Sequence, residues 1–141
     1  MNQEKTKLHY YNFVSFHTAT ELESLGFNEP CFGLFIKVDK ELIVKEMLNQ
    51  EECKLYFGGI LAPLYQQCIK WLREVHKLRV DVGNIQNNLH ETPLQIIAVS
   101  NLDTGKASVE YKVTKSTTAH EELLEEGINN ALKIIKNESA K

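Results

Sequence analysis

Residues Leu94–Val113 read LQIIAVS-NLDTGK-ASVEYKV, and this succession of patterns decides the fold class. Leu94–Ser100 is apolar on both faces, as a central strand is. Asn101–Lys106 is turn chemistry, with Gly105 available for a positive φ. Ala107–Val113 alternates, so Val109, Tyr111 and Val113 are expected to point inward. Two strands joined by so short a turn pair antiparallel, because a parallel pair needs a long crossover. Just upstream, Leu78, Val80 and Val82 recur at period two with Arg79 and Asp81 on the other face, which adds a third strand. A run of strands without helical crossovers points to α+β rather than to a doubly wound parallel sheet. The expected architecture is a mainly antiparallel sheet with two long helices packed on one face.

Those helices flank the strand run. Leu61–Lys77 carries Leu61, Leu64, Tyr65, Cys68, Leu72 and Val75 at three- and four-residue steps, with Lys70, Arg73 and Lys77 opposite. Thr118-x-x-Glu121 opens the last helix, whose face is Leu123, Leu124, Gly127, Ile128, Ala131, Ile134 and Ile135. Gly127 and Ala131 allow that helix to lie close against its neighbour, and Lys136–Lys141 is expected to fray. Toward the N-terminus, Leu8–Phe16 has the aromatic and β-branched content of a strand. Thr18–Glu21 is a capping-box pattern for a short helix that ends at Gly26-Phe27. Phe32, Leu34, Ile36 and Val38 alternate as one strand face. Asp39 is read as the cap of a helix through Leu42, Ile43, Met47 and Leu48, or the segment is a loop. Leu55–Phe57 is a brief strand closed by Gly58-Gly59.

The 141 residues, 43% hydrophobic and 25% charged, suit one domain over residues 1–141 with fraying at about 1–7 and 137–141. The net charge of −3 argues against general nucleic-acid binding, which draws its affinity from a basic field. Cys31, Cys53 and Cys68 form no C-x-x-C pair, and an odd, sparse set is unlike a secreted disulfide framework. Met1–Lys7 is polar, and no stretch approaches the roughly 20 apolar residues that span a bilayer. A cytoplasmic location without a membrane partner is therefore expected.

No phosphate-loop, dinucleotide-binding or nucleophile-elbow motif is present, and the histidines lack metal spacing. No metal, cofactor or catalytic residue is expected. Five residues are the ligand-binding candidates: Tyr65, Trp71, Arg73, His76 and Arg79. Trp71 sits about 80° from the centre of the helix stripe. It is either an edge-of-core residue or an aromatic anchor for a ligand ring or a partner. His76 flanks the stripe's other side and reads as a half-buried histidine or as a base. Arg73 and Arg79, with Lys70 and Lys77, are either a solvated helix face or a grip for an anion.

LAPLYQQCIKWLREVHKLRVDV (Leu61–Val82) resembles the A-P-x7-W-L-R-E-x-H segment of small proteins of bacteriophages and related mobile elements of gut anaerobes. FVSFHTATELESLGFNEPC (Phe13–Cys31) and TTAHEELLEEGINNALKII (Thr117–Ile135) resemble the first and last helices of the same group. The match includes Ala62, Pro63, Trp71, Leu72, Arg73, Glu74 and His76, and leaves Val38–Phe57 unmatched. The resemblance implies a phage or mobile-element origin and carries no activity with it. The function expected is that of a non-enzymatic binding protein, such as a counter-defence protein sequestering a nucleotide signal or a host protein. The alternatives are a small hydrolase or phosphodiesterase with His76 or His17 as base, and a structural oligomerisation module. The partners expected are a small anionic ligand or a host protein, with a homo-oligomer as the assembly.

Overall fold

The computed structural model describes residues 12–85, 94–113 and 120–139. Along them run α1 (Phe16–Ser24), β1 (Cys31–Ile36), β2 (Leu42–Leu48), α2 (Gln50–Phe57), β3 (Gly59–Ala62), α3 (Tyr65–His76), β4 (Leu78–Ile85), β5 (Leu94–Asn101), β6 (Ala107–Val113) and α4 (His120–Ser139). The fold is α+β, as the strand run predicts, and these strands pair antiparallel. The chain divides into two compact units, Met1–Gln67 and Cys68–Lys141, and the division falls inside α3. In place of one sheet there are two three-stranded sheets, ordered β2–β1–β3 and β4–β5–β6. Of the described helices only α4 is long, so the expected pair of long helices on one face is not found.

The first unit departs most from the sequence reading. Of the expected strand Leu8–Phe16, residues 8–11 lie outside the described residues, and the remainder makes only a bridge from Phe13 to Leu64. Ser15, not Thr18, caps α1: its Oγ accepts the Thr18 N–H at 3.2 Å, and Thr18 is buried. The helix ends as predicted, with Gly26 at φ 92° and the Phe27 N–H returning to the Leu22 carbonyl at 3.0 Å. Residues 42–48 are strand β2 because Asp39 shapes a hairpin turn instead of capping a helix. Its Oδ1 accepts the Glu41 N–H, Lys40 takes φ 59°, and Ile36 and Glu41 close the turn. Leu55–Phe57 is the end of α2, whose cap Asn49 accepts the Glu52 N–H at 2.8 Å. In β1 the register shifts between Cys31 and Gly33, so Phe32 is exposed while Leu34 is buried. Val38 lies in the turn and is 95% exposed. β3 is buried along its whole length, with α1 and α2 both packed on it.

In the second unit β5 is central, as predicted, and α4 packs on β4 and β5. Leu78, Val80, Ile97 and Val99 are buried. Gly127 brings the helix backbone onto the sheet: a Cβ at that position would lie 2.7 Å from Val80 Cγ1 and 3.4 Å from Ile97 Cγ2. α4 runs to Ser139, past the point where fraying was expected. The β6 expectation fails in parity. Ser108 and Glu110 pair with Val99 and Ile97, so they lie on the α4 side, where Asn130 Nδ2 donates to Glu110 Oε2 at 3.3 Å. Val109 and Tyr111 are consequently on the opposite face and are 46% and 59% exposed.

Gly127→Val sets a branched side chain where Val80 already sits. It should lower stability by about 1–3 kcal/mol in urea unfolding, and adding Val80→Ala should recover part of the loss. A single variant as stable as the wild type would contradict the close packing of α4 on β4.

Candidate functional site

The second unit carries a hollow of about 280 Å³ lined by β4, β5, the β5–β6 turn and the last turns of α4. Leu78, Val99 and Ile134 give it an apolar floor, and Asn101, Thr104, Lys106, Ser108 and Glu138 supply polar groups. The turn places these groups by its own hydrogen bonds. Asn101 Oδ1 accepts the N–H groups of Asp103 and Thr104 at 2.9 and 3.0 Å, leaving the Asn101 amide nitrogen as the side-chain donor. Thr104 Oγ1 accepts the Lys106 N–H at 3.2 Å, and the Asn101 N–H donates to the Lys106 carbonyl at 2.7 Å. Lys106 and Glu138, both exposed, make no ion pair among the described residues. The hollow thus offers one cation, one carboxylate and several neutral hydrogen-bonding groups around an apolar base.

The residues singled out by sequence lie elsewhere. Tyr65 is half-buried at the start of α3, in the first unit, where its N–H donates to the Asn12 carbonyl at 2.9 Å. Trp71 is a core residue, only 4% exposed, so its ring has no open face for a ligand. It meets His76 edge-on, with ring centroids 4.7 Å apart. Arg73 is exposed on α3. Arg79 is held by Asp81 at 2.9 Å on the sheet face away from α4, opposite to the side on which Leu78 floors the hollow. Of the five candidates, the structure joins Trp71 with His76, and among the described residues Arg73 and Arg79 do not meet. Val75, read as part of the apolar stripe, is exposed. Leu61, likewise assigned to that stripe, is in β3, and α3 begins only at Tyr65, after Pro63.

The groups that might do chemistry are quiet. All three cysteines are free and buried. Burial, with Glu29 second, pushes the Cys31 thiol up to about 12, and burial followed by Glu23 also raises Cys53. Neither supplies a thiolate near neutral pH. His17, a candidate base, lies on the surface of α1 beside Glu21 at 3.8 Å. Among the described residues no group of His, Cys, Asp and Glu is placed to hold a metal ion, and no helix is long and apolar enough to cross a membrane. Among the described residues the buried His76 Nε2 has no hydrogen-bond partner. No protein-family model, curated protein or solved structure matches the chain.

Burial holds the His76 imidazole below its ordinary pKa, and the Glu138 carboxylate opposes this only in part. In the unfolded chain the same group takes up its proton near pH 6.5, whereas the folded chain takes it up at lower pH. Between the two values the unfolded state holds more protons, so stability falls as pH drops through the unfolded value. Urea midpoints at about pH 7.5 and about pH 5.5 should therefore differ less in His76→Asn than in the wild type. An unchanged difference would contradict the desolvated histidine.

Proposed function

We propose that this chain is a non-enzymatic binding protein whose site is the hollow beside the β5–β6 turn. The observation that carries the reading is the unpaired placement of Lys106 and Glu138 around an apolar floor. An exposed cation and an exposed anion left apart can each be engaged by a ligand without first breaking a bridge. An anionic group would meet Lys106 through a charge-assisted hydrogen bond, with Asn101, Thr104 and Ser108 able to add neutral ones. Hydroxyl or amino groups would donate to Glu138, and a planar apolar body would rest on Leu78, Val99 and Ile134. A mononucleotide has all three parts. The absence of an assembled nucleophile and base among the described residues favours holding such a ligand over transforming it. The resemblance to phage proteins fits this reading, since sequestering a nucleotide signal requires affinity and no catalysis.

The first experiment is native mass spectrometry of the chain purified gently from a bacterial host, followed by calorimetric titration with 5′-AMP, 5′-GMP and their cyclic forms. Binding without turnover is expected. Lys106→Ala should weaken it by about 10- to 100-fold, as loss of a charged hydrogen bond does. Glu138→Gln should weaken it less, because the amide still accepts a hydrogen bond. Undiminished binding by Lys106→Ala would remove the site assignment, and hydrolysis of any nucleotide would favour the enzyme reading.

A further inference from the structure

β6 is an edge strand whose free side can be read group by group. The Asn101 N–H donates to the Lys106 carbonyl, so residues 101 and 106 form a hydrogen-bonded antiparallel pair. Such pairs alternate, which makes Val99–Ser108 and Ile97–Glu110 the next hydrogen-bonded pairs along the register. The β4 side agrees: the Leu102 N–H donates to the Lys77 carbonyl at 2.8 Å, in continuation of the Leu78–Asn101 register. Ala107, Val109 and Tyr111 therefore turn their N–H and C=O groups away from β5. Among the described residues no backbone group takes them.

The two edges of this sheet differ in chemistry. On the face away from α4, β4 carries Arg79 and Asp81, joined at 2.9 Å, the kind of charged side chains that discourage edge pairing. β6 carries Val109 and Tyr111 there instead, with Ala98 and Ile96 beside them on β5. Described β6 side chains are exposed on both faces, and α4 covers β4 and β5. This edge has β-forming residues, free backbone groups and, within Ala107–Val113, no proline.

We infer that β6 pairs with β6 of a second copy of this chain, antiparallel about a two-fold axis at Val109. An axis at Glu110 would set carboxylate against carboxylate. Moving it one residue, to Val109, removes the carboxylate clash and leaves the like-charged positions 106 and 112 opposite each other only at the ends of the pairing. Val109 faces Val109, the small Ala107 lies opposite the large Tyr111, and Ser108 lies opposite Glu110. Glu110 uses Oε2 toward Asn130, which leaves Oε1 for the serine hydroxyl across the axis. The outward N–H and C=O groups of Ala107, Val109 and Tyr111 then form about six backbone hydrogen bonds. The product is a six-stranded sheet on which the rows Ala98–Val109 and Ile96–Tyr111 continue across the axis, in an isologous contact. Ala107 and Ser108 also line the hollow, but the backbone pairing requires no ligand there.

Sedimentation equilibrium of the full chain over roughly 1–200 µM tests it. The wild type should pass from one chain to two. Val109→Pro removes an N–H that points away from β5, so the β5–β6 ladder survives and the chain should stay monomeric at every concentration. Val109→Lys and Val109→Glu, at an exposed position, should each be monomeric alone and dimerise when mixed in equal amounts. A wild type that remains monomeric, a folded Val109→Pro chain that dimerises, or an equal mixture that stays monomeric would overturn the inference.

Discussion

Asn101 closes the β5–β6 turn through both its side chain and its backbone. Its side-chain oxygen binds the Asp103 and Thr104 N–H groups, and its own N–H binds the Lys106 carbonyl. These bonds close the turn at one length, and the turn's length sets the register of β6 against β5. In a sheet, a one-residue slip moves every side chain to the other face. The turn therefore decides that Ser108 and Glu110 lie on the α4 side and that Val109 and Tyr111 do not. It also brings Thr104 and Lys106 to the hollow, and it leaves the odd-numbered backbone groups of β6 unbonded on the free edge. Candidate site and candidate edge are two consequences of the same closure.

The second constraint is the depth at which α4 sits. Gly127 lets the helix backbone approach Val80 and Ile97, and Leu123, Leu124, Ile128, Ala131, Leu132 and Ile135 are buried along it. Close seating over β4 and β5 carries the end of the helix to the hollow, where Ile134 meets Leu78 and Val99 at the floor and Glu138 stands at the rim. The carboxyl end of a helix bears partial negative charge, to which Glu138 adds. Lys106 opposes both from the turn. The electrostatic character of the hollow thus comes from two elements far apart in sequence, held together by apolar packing between them.

That separation explains what was legible in the sequence. The α+β class, the central place of β5, the Leu78–Val80 strand and the close-lying Gly127 follow from local period and composition. The inward side of β6 was misread because Val109 and Tyr111 are the apolar residues of an alternating strand, and alternation gives two faces without saying which is covered. Helix and strand were confused where spacing was ambiguous. Leu42, Ile43, Met47 and Leu48 fit a helical face, but Asp39 and Lys40 build a hairpin turn ahead of them. Asn49, which accepts the Glu52 N–H, is the cap of α2. Trp71 was assigned to the edge of a helix stripe that began too early, at Leu61, and burial shows it to be core. No local pattern links Lys106 with Glu138, so the hollow could be found only in three dimensions.

The histidine beside that core shows how the same packing limits chemistry. His76 meets Trp71 edge-on, its Nε2 has no partner among the described residues, and burial disfavours its charged form. A general base needs a neutral imidazole but also a proton donor within reach and an orienting group on its other nitrogen. Desolvation likewise disfavours the thiolates of Cys31 and Cys53. Burial thus disfavours the charged forms of Cys31, Cys53 and His76, whereas Lys106 and Glu138 stand exposed at the hollow.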